Sequence, residues 1–431
     1  MSRAAPVMLV LLATSCFLPV AGCSSSPPAG ELVLQEAKEG ILKTADTITI
    51  SWIPVTEADA GTAAGAPQEI GRFSATSGTY SLGTFSTAST GALRIDGFSG
   101  PKQVLYGRTP SLVASDLVSK SLSIAVFPRA TWMPFAASRV GDASFSLSVK
   151  WMQPVGDRYL LLTSSDSIEY ALLDLSDQSI RTSSKSFPFL PLSMGVLGRF
   201  AIPVGKSEAR LVDLSNGEAT SLSISQADLE AASGGTFVTG KSAAVLVGAT
   251  REAGSDSVLR FNADASVVRG KGSFRKGAKA VWIDGLGTVV IGGSETLPLM
   301  EVIPDQGSSF PLPFAFEPSA VQSVALRPGS RTIVTLSATG RVATYDLNCT
   351  GATCVPGVLR TEAAIDPDAF VFFSESGVVG LVEPVKGMSR LYKDGVESTV
   401  TYDFSGGVSA HAAIDERLFA WSASGASLLV P

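Results

Sequence analysis

Between residue 128 and the C-terminus the chain repeats a unit of short apolar strands and Asp-containing turns, and this repeat limits the possible folds more than any other feature. In each unit a Gly or polar turn leads to an apolar strand, a second strand follows, and an Asp-containing turn comes next. The unit is clearest in Arg158–Leu162 leading to Ala171–Ser176, in Gly198–Ile202 leading to Arg210–Ser215, and in Arg331–Thr335 leading to Val342–Leu347. Short strands of this kind bury their faces by packing against the neighbouring units.

The spacing of the units indicates a β-propeller. The turn residues Asp174 and Asp213 are 39 residues apart, and 133 residues separate Asp213 from Asp346. The longer interval has room for three units of about 44 residues, and periods of 40–50 with several short strands per unit are typical of propeller blades. We therefore predict a propeller of about seven blades over residues 128–431.

The end of the chain indicates how the ring closes. Val408–Ile414, Leu418–Ser422 and Ala426–Val430 have the pattern of three strands of a blade. We expect a strand near Ala130–Ala136 to supply the fourth and to lock the first part of the propeller to the last. Closure of this kind leaves only short exposed sheet edges.

Two stretches resemble blades of known propeller families. Leu286–Ser294 followed by Met300–Pro304 has the order strand, double glycine, strand, turn, and looks like a kelch blade. Val321–Leu347 is similar to a WD40 or related blade. Propellers include both enzymes and binding proteins, so the resemblance implies the architecture and leaves the activity open.

Residues 31–127 have a different pattern, which predicts an N-terminal β-sandwich. Ala45–Ile53 alternates apolar and polar residues, as a half-buried strand does. Further apolar runs, separated by Gly, Pro and Ser turns, occur at Gly78–Phe85, Gly91–Phe98, Gln103–Tyr106 and Leu122–Phe127. The pattern resembles immunoglobulin and fibronectin III domains, so the whole chain is predicted to be all-β.

The N-terminus has the features of an export signal that ends in a lipidated cysteine. Arg3 is the only charged residue before residue 31, and the apolar stretch Val7–Val20 suits a signal peptide but is too short for a spanning helix of about 20 residues. The segment Val20–Cys23 resembles the lipobox of bacterial lipoproteins. Cys16 is less suitable, since Ala13–Ser15 before it lacks the aliphatic residue of a lipobox.

The lipoprotein resemblance implies that residues 1–22 are removed and that Cys23 carries a diacylglyceryl thioether and an amide-linked acyl chain such as palmitate. Two chains anchor firmly, whereas one binds membranes only marginally. Ser24, in place of Asp, implies sorting to the outer membrane, with the protein facing the periplasm or the cell surface. Residues 23–30 then form a flexible tether that reaches about 25 Å. The alternative is an ordinary secretory signal cleaved nearby.

Cysteine usage and charge restrict cofactors and partners. Cys349 and Cys354 are predicted to form a local disulfide across a turn, because an exported chain meets an oxidising compartment. A metal site needs further ligands, and His411 is the only histidine, so no metal or other cofactor is expected. The net charge of −6 argues against a nucleic-acid partner, because binding nucleic acid requires a basic face.

One segment matches a phosphate-binding loop in spacing alone. Gly235–Ser242 fits G-x-x-x-x-G-K-S, but a true P-loop follows a buried strand and opens a helix. Here the polar segment Gln226–Ser233 precedes it and the strand-like segment Ala243–Val247 follows. We interpret the motif as a turn between propeller strands.

Candidate catalytic residues are few, and none is assigned. The sequence contains no G-x-S-x-G nucleophile motif, and His411 lies in a strand-like run as a structural or surface residue. Paired carboxylates hydrolyse glycosides without histidine, and Asp366 and Asp368 are the nearest candidates, although turn residues are the simpler interpretation. The repeated turn aspartates are expected to hydrogen-bond backbone groups.

The tryptophans of the predicted propeller are the remaining candidates for ligand-binding residues. Trp132, Trp151, Trp282 and Trp421 are expected between the blades, where one or two could stack on a sugar or anchor a protein loop. We predict a non-enzymatic scaffold that binds protein or glycan through the loops of one propeller face or the mouth of the channel. The alternatives are a carboxylate-dependent polysaccharide hydrolase or lyase and a purely structural envelope protein.

Overall fold

In the computed structural model, nearly every regular element is a β-strand, which confirms the all-β class. The described helices are an α-helix and two 3-10 helices, at Gln226–Ala232, Ile41–Thr44 and Ala114–Leu117. None of these helices is long and apolar enough to span a membrane. The structure describes residues 30–55, 66–75, 78–82, 90–117, 121–135, 148–232, 235–240, 242–248, 258–270, 277–292, 300–312, 314, 321–349, 354–362, 365–404 and 406–431.

The first eight strands form a single sheet, called here the N-terminal sheet. They are β1 (Glu31–Glu36), β2 (Thr47–Pro54), β3 (Gln68–Ser74), β4 (Thr79–Ser81), β5 (Thr90–Ser99), β6 (Lys102–Arg108), β7 (Leu112–Val113) and β8 (Ser121–Pro128). Their order is β3-β2-β5-β6-β8-β1-β4, with β7 paired to β5. β1 runs parallel to β8, with Glu31 beside Ser121.

The N-terminal sheet curls around its own core. Its edge strands β3 and β4 approach each other, since the ring centroids of Phe73 and Tyr80 lie 5.1 Å apart. Strands from across the sheet contribute to one buried cluster, which includes Leu32, Ile50 and Leu105. The described strands belong to one continuous sheet, so the division into two facing sheets expected of an immunoglobulin-like sandwich stays a prediction.

Strand β2 departs from the half-buried strand predicted over Ala45–Ile53. Every residue from Ile48 to Ile53 is buried, including the polar Thr49 and Ser51. β2 lies between β3 and β5 within the curled sheet. Both faces of the strand are therefore covered, where the alternation in the sequence had indicated only one.

The rest of the described chain forms seven four-stranded antiparallel sheets, which are the blades of a β-propeller. The strands of blades 1 to 3 are β10 (Trp151–Val155), β11 (Tyr159–Thr163), β12 (Glu169–Asp174), β13 (Ser179–Ser186), β14 (Ser193–Leu197), β15 (Phe200–Val204), β16 (Arg210–Asp213), β17 (Ala219–Ser221), β18 (Thr236–Thr239), β19 (Ala243–Val247), β20 (Val258–Asn262) and β21 (Val267–Gly270). The predicted number of blades is confirmed.

Blades 4 to 7 follow the same order, and the last blade takes one strand from far upstream. Their strands are β22 (Lys279–Ile283), β23 (Gly287–Ile291), β24 (Met300–Ile303), β25 (Phe310–Pro311), β26 (Val321–Leu326), β27 (Thr332–Ser337), β28 (Arg341–Asp346), β29 (Gly357–Thr361), β30 (Phe370–Phe373), β31 (Val379–Glu383), β32 (Met388–Lys393), β33 (Val396–Thr401), β34 (Ala410–Ile414), β35 (Arg417–Ser422), β36 (Gly425–Val430) and β9 (Thr131–Pro134).

The first strand of each blade lines the centre of the ring. First strands of successive blades contact one another, from β10 through to β30, and β34 contacts β10. Between β30 and β34 the rings of Phe370 and His411 stack with centroids 3.8 Å apart. Second strands such as β19 and β23 are buried along their whole length, whereas outermost strands such as β17 are exposed. The apolar surface of each blade is thus covered by its neighbours, as the repeat requires.

The ring closes as predicted, through β9 and β36. The two strands pair antiparallel, with Leu429 beside Trp132 and Val430 beside Thr131. The indole N–H of Trp132 donates to the hydroxyl of Ser389 in blade 6 over 2.8 Å. The strand that follows the N-terminal sheet therefore holds the last blade to the rest of the molecule.

Candidate functional site

Hairpin turns between the first and second strands of each blade share one face of the propeller, called here the first-turn face. Their described residues are 156–158, 198–199, 240, 242, 284–286, 327–331, 374–378 and 415–416. The face is polar in several blades, because tight turns favour Gly, which adopts positive φ, and Asp and Ser, whose side chains hydrogen-bond backbone groups. It is the face against which the N-terminal sheet packs.

The N-terminal sheet contacts the first turns of blades 1, 6 and 7. The backbone N–H of Ser111 donates to the Asp157 carboxylate over 2.6 Å. The phenol of Tyr106 donates to Asp415 over 3.2 Å, and Arg108 lies 3.7 Å from Glu375. Together these contacts cover the part of the first-turn face that blades 1, 6 and 7 form.

The contact contains a buried cluster of arginines and carboxylates. Asp415, which is 5% exposed at its side chain, lies 2.9 Å from the guanidinium of Arg417 and 3.6 Å from that of Arg108. Arg129 lies 3.5 Å from Glu416. Burial raises the pKa of the Asp415 carboxyl, but the two arginines outweigh it, so that this pKa is lowered overall. Breaking such a buried pair costs about 3–5 kcal/mol.

A cavity of about 1070 Å³ opens at the first-turn face, at the mouth of the central channel. Its lining comes from blades 1 to 5 and includes Trp282 of blade 4 and Asn348 of blade 5. The indole of Trp282 lies against the Gly240 backbone, where a Cβ would meet its Nε1 at 2.8 Å. Because the cavity is larger than most drug-sized pockets, which hold about 300–1,000 Å³, it has room for a sugar chain or a peptide loop.

Arginines recur at equivalent positions around this mouth. Arg158, Arg199 and Arg331 each directly precede the second strand of a blade and line the cavity. Arg158 pairs with Asp174 over 3.0 Å and Arg199 with Asp213 over 2.9 Å.

The two paired arginines are also held over aromatic rings. The guanidinium of Arg158 lies 5.0 Å from the ring of Tyr159, and that of Arg199 lies 5.2 Å from the ring of Phe200. Their N–H groups are therefore fixed in place while the side chains stay largely open to solvent. The mouth offers oriented donors, and Asp284 and Asp346 in its lining offer acceptors.

Sequence reasoning missed these arginines, although the repeat contains the signal. Three of the repeat units begin with Arg158, Gly198-Arg199 and Arg331, and each has an aspartate at the end of its third strand. The aspartates do cap turns as expected, since Asp174 accepts the backbone N–H of Ser176 over 2.9 Å. The second role, pairing with an arginine across the blade, follows only from the fold.

His411 lies in the central channel on the first strand of blade 7. Its ring stacks on Phe370 with an interplanar angle of 5°. Burial among the inner strands, and to a smaller extent the Lys279 ammonium, lowers the pKa of His411 to about 4. The imidazole is open to the channel yet neutral at ordinary pH, which agrees with a structural role.

Asp366 and Asp368 are not a catalytic pair in this structure. Asp366 is buried, and its two carboxylate oxygens accept the backbone N–H groups of Asp368 and Val385 over 2.9 and 2.6 Å. The side chain of Asp368 is exposed. Asp366 therefore joins the loop before blade 6 to a turn within that blade, as the simpler interpretation held.

The segment Gly235–Ser242 is a hairpin of blade 3. The backbone N–H of Gly240 donates to the carbonyl of Ala243 over 2.8 Å, and the strand β19 follows where a P-loop would open a helix. Lys241 lies outside the described residues. The described part of the motif has the turn geometry that the sequence context indicated.

The four tryptophans of the propeller divide as expected between core and surface. Trp132 and Trp421 are buried in cores between blades, and Trp151 packs beside the core between blades 1 and 2 with Lys150 5.0 Å from its ring. Trp282 alone of the four borders the cavity at the mouth. It is the aromatic residue best placed to contact a ligand there.

The predicted disulfide is confirmed, and it lies beside the same mouth. Cys349 and Cys354 are bonded, with their Cα atoms 5.6 Å apart. The bond closes the turn after β28, next to Asp346 and Asn348 of the cavity lining. The lipidation site Cys23 lies outside the described residues, so the lipid anchor stays a prediction.

Comparisons with known proteins give structural similarity without a match in sequence. No family model matches the chain, and no curated protein is a detectable relative. The chain is similar in structure to PorZ, a surface component of the type-IX secretion system of Porphyromonas gingivalis, with 11% identity and a TM-score of 0.47 over 70% of this chain and 38% of that one.

The chain also matches two further solved structures over nearly the full length of those structures. The WD40 repeats of RRP9 match with 12% identity and a TM-score of 0.48, over 67% of this chain and 96% of that one. Streptogramin B lyase matches with 10% identity and a TM-score of 0.44, over 66% and 94%. These structural neighbours include WD40 propellers, and the seven blades of this chain are shown by its own seven four-stranded sheets.

Proposed function

We propose that this chain is a non-enzymatic binding scaffold whose ligand, a glycan or a protein loop, enters the mouth of the propeller at the first-turn face. The cavity of about 1070 Å³ carries this proposal. An aromatic ring at Trp282, oriented arginine N–H groups and carboxylate acceptors lie around it, which suits recognition of hydroxyl and amide groups. Missing catalytic geometry at Asp366 and Asp368 supports binding over hydrolysis.

The proposal includes a lipid anchor at Cys23 in the outer membrane. The tether of residues 23–30 leads into β1 at Glu31. β1 runs parallel to β8, and β8 ends at Pro128, where the chain passes into the propeller. The chain therefore enters the N-terminal sheet at the end opposite to its exit, and the sheet acts as a spacer between the bilayer and the propeller.

Substitution of Trp282 tests the binding site. In-cell crosslinking followed by mass spectrometry, together with a glycan array on the purified protein, identifies the ligand of the unaltered chain. Trp282→Ala is expected to weaken that binding by about tenfold or more, because buried aromatic anchors contribute most to such interfaces. Phe310→Ala is the matched control, since Phe310 is an exposed aromatic on the outer strand of the same blade.

The results of these experiments distinguish binding at the mouth from the alternative functions. Equal binding by Trp282→Ala and the unaltered chain would show that the mouth is not the ligand site. Release of shortened glycans by the unaltered chain would favour the hydrolase or lyase alternative. No saturable ligand, combined with an envelope defect on deletion, would favour a purely structural protein.

The anchor is tested separately. Cys23→Ser is expected to abolish labelling by a palmitate analogue and to release the protein from the membrane fraction, whereas Cys16→Ser leaves both unchanged. Loss of labelling only in Cys16→Ser would show that Cys16, and not Cys23, is the modified cysteine.

A further inference from the structure

A second, smaller cavity lies in the seam between the N-terminal sheet and the propeller. Its volume is about 220 Å³, and its walls come from β8 and the segment after β6 on one side and from blades 1 and 7 on the other. We call it the seam pocket. Ile124 and Phe127 of the sheet and Leu175 of blade 1 give it a buried apolar wall.

Three arginines contribute to the lining of the seam pocket. Arg108 comes from the sheet, Arg158 from blade 1 and Arg417 from blade 7, and the described lining contains no Asp or Glu. Arg108 and Arg417 are both buried. Three cations in the lining of a small space, with their partner carboxylates outside that lining, favour an anion.

The carboxylates that balance these arginines do not line the pocket. Asp415 pairs with Arg108 and Arg417, and Asp174 pairs with Arg158. Neither carboxylate is among the lining residues. Each arginine has five N–H donors, so the pairs with Asp174 and Asp415, and that of Arg108 with Glu375, do not use all of them.

The size of the pocket limits the occupant. The volume of about 220 Å³ is below the roughly 300–1,000 Å³ of drug-sized pockets, so the pocket suits a small molecule. The apolar wall excludes a fully hydrated ion such as free phosphate as the best ligand, because the ion leaves that wall uncovered. The charge and the wall together suit an anionic group on a short apolar body.

We propose that the seam pocket binds a small amphipathic anion, namely a short aliphatic or aromatic carboxylate. The guanidinium groups of Arg158 and its neighbours hold the carboxylate, and Ile124, Phe127 and Leu175 cover the body. This site is separate from the mouth, although Arg158 borders both. Because the ligand contacts sheet and propeller together, its binding stabilises the docked arrangement of the two.

Hexanoate is the first probe, with hexan-1-ol and hexylamine as neutral and cationic controls of similar size. We expect calorimetric titration of the full mature chain to show saturable binding of hexanoate. Both controls should bind at least tenfold more weakly, because a hydrogen bond to a charged group changes the affinity by about that factor. Acetate and inorganic phosphate test the apolar wall and are expected to bind at least tenfold more weakly than hexanoate.

Arg158→Gln and Arg199→Gln form a matched pair of variants. Both arginines precede the second strand of a blade, both pair with an aspartate, and both line the mouth, but only Arg158 lines the seam pocket. We expect Arg158→Gln to weaken hexanoate by about tenfold and Arg199→Gln to leave it unchanged. Ala125→Leu, which adds bulk to the pocket wall, is expected to reduce binding with all charges kept.

The outcomes decide the proposal without reference to the mouth. Equal binding of hexanoate and hexan-1-ol would overturn the anionic preference, and equal binding of phosphate would overturn the amphipathic one. Equal loss in both arginine variants would place the anion at the mouth. A circular dichroism spectrum matching that of the unaltered chain shows that each variant folds, so a loss of binding reports on the pocket.

Discussion

Closure of the ring by β9 and β36 leads to a prediction whose size follows from the structure. Leu428 is 1% exposed and belongs to the core between blades 7 and 1, whereas Leu429 is fully buried in the core between blades 7 and 6. One strand therefore fills two cores. Deleting residues 426–431 removes both side chains and that of the buried Val430, and leaves β9 without a partner.

The expected loss is comparable with the stability of the whole protein. Burying each large aliphatic side chain contributes about 1.5–3 kcal/mol, so the three side chains together account for about 4.5–9 kcal/mol. A folded protein has a free energy of unfolding of about 5–15 kcal/mol. We therefore expect the deletion to abolish cooperative unfolding, and the single substitution Leu429→Ala to lower the free energy of unfolding by about 3–5 kcal/mol.

Urea denaturation followed by tryptophan fluorescence measures both effects, since Trp132 and Trp421 lie in the affected cores. Val396→Ala is the control, because Val396 is 67% exposed on the outer strand of blade 6. It is expected to change the free energy of unfolding by about 0.5 kcal/mol or less. A deletion variant that unfolds at the same urea concentration as the unaltered chain would refute closure through β36.

Three further predictions concern the charged seam, the channel and the disulfide. Asp415→Asn is expected to lower the free energy of unfolding at pH 7 by about 3–5 kcal/mol in urea titrations. Because the folded state lowers the pKa of Asp415, its contribution to the free energy of unfolding is present above about pH 4 and is lost as the pH falls further. The free energy of unfolding of the variant should therefore depend less on pH in acid. With a pKa of about 4, His411 should show no NMR titration between pH 8 and 5. Below the unfolded-state pKa of about 6.5, the unfolded chain takes up the proton more readily, so the free energy of unfolding decreases as the pH is lowered. A midpoint near 6.5 would contradict the lowered pKa of His411. Replacing Cys349 and Cys354 by Ser should cost about 2 kcal/mol, and reductant should reproduce that loss only in the unaltered chain.

Local patterning made the propeller predictable. A blade strand needs alternating or continuous apolar residues and a turn after a few positions. Both features occur within short consecutive segments such as Arg331–Thr335. Equal spacing of the units then indicates the ring. The closing strand could be found because the last three strands are one short of a blade.

The sites depended on residues that meet only in three dimensions. Tyr106 and Asp415 are 309 positions apart and share a hydrogen bond, and the seam pocket combines arginines from the N-terminal sheet and from two blades. No periodicity links such residues, because their approach depends on how the sheet docks. Asp366 likewise looked like a catalytic candidate until its backbone partners were visible.

The sequence by itself determined the strand repeat, the number of blades, the closing strand and the turn held by Cys349 and Cys354, since each depends on short-range patterning. The tertiary structure alone decided that the N-terminal sheet packs on the first-turn face, that Trp282 borders the mouth and that Arg108 and Arg417 share Asp415. Those features arise from burial and charge pairing between distant segments, which the order of residues does not encode locally.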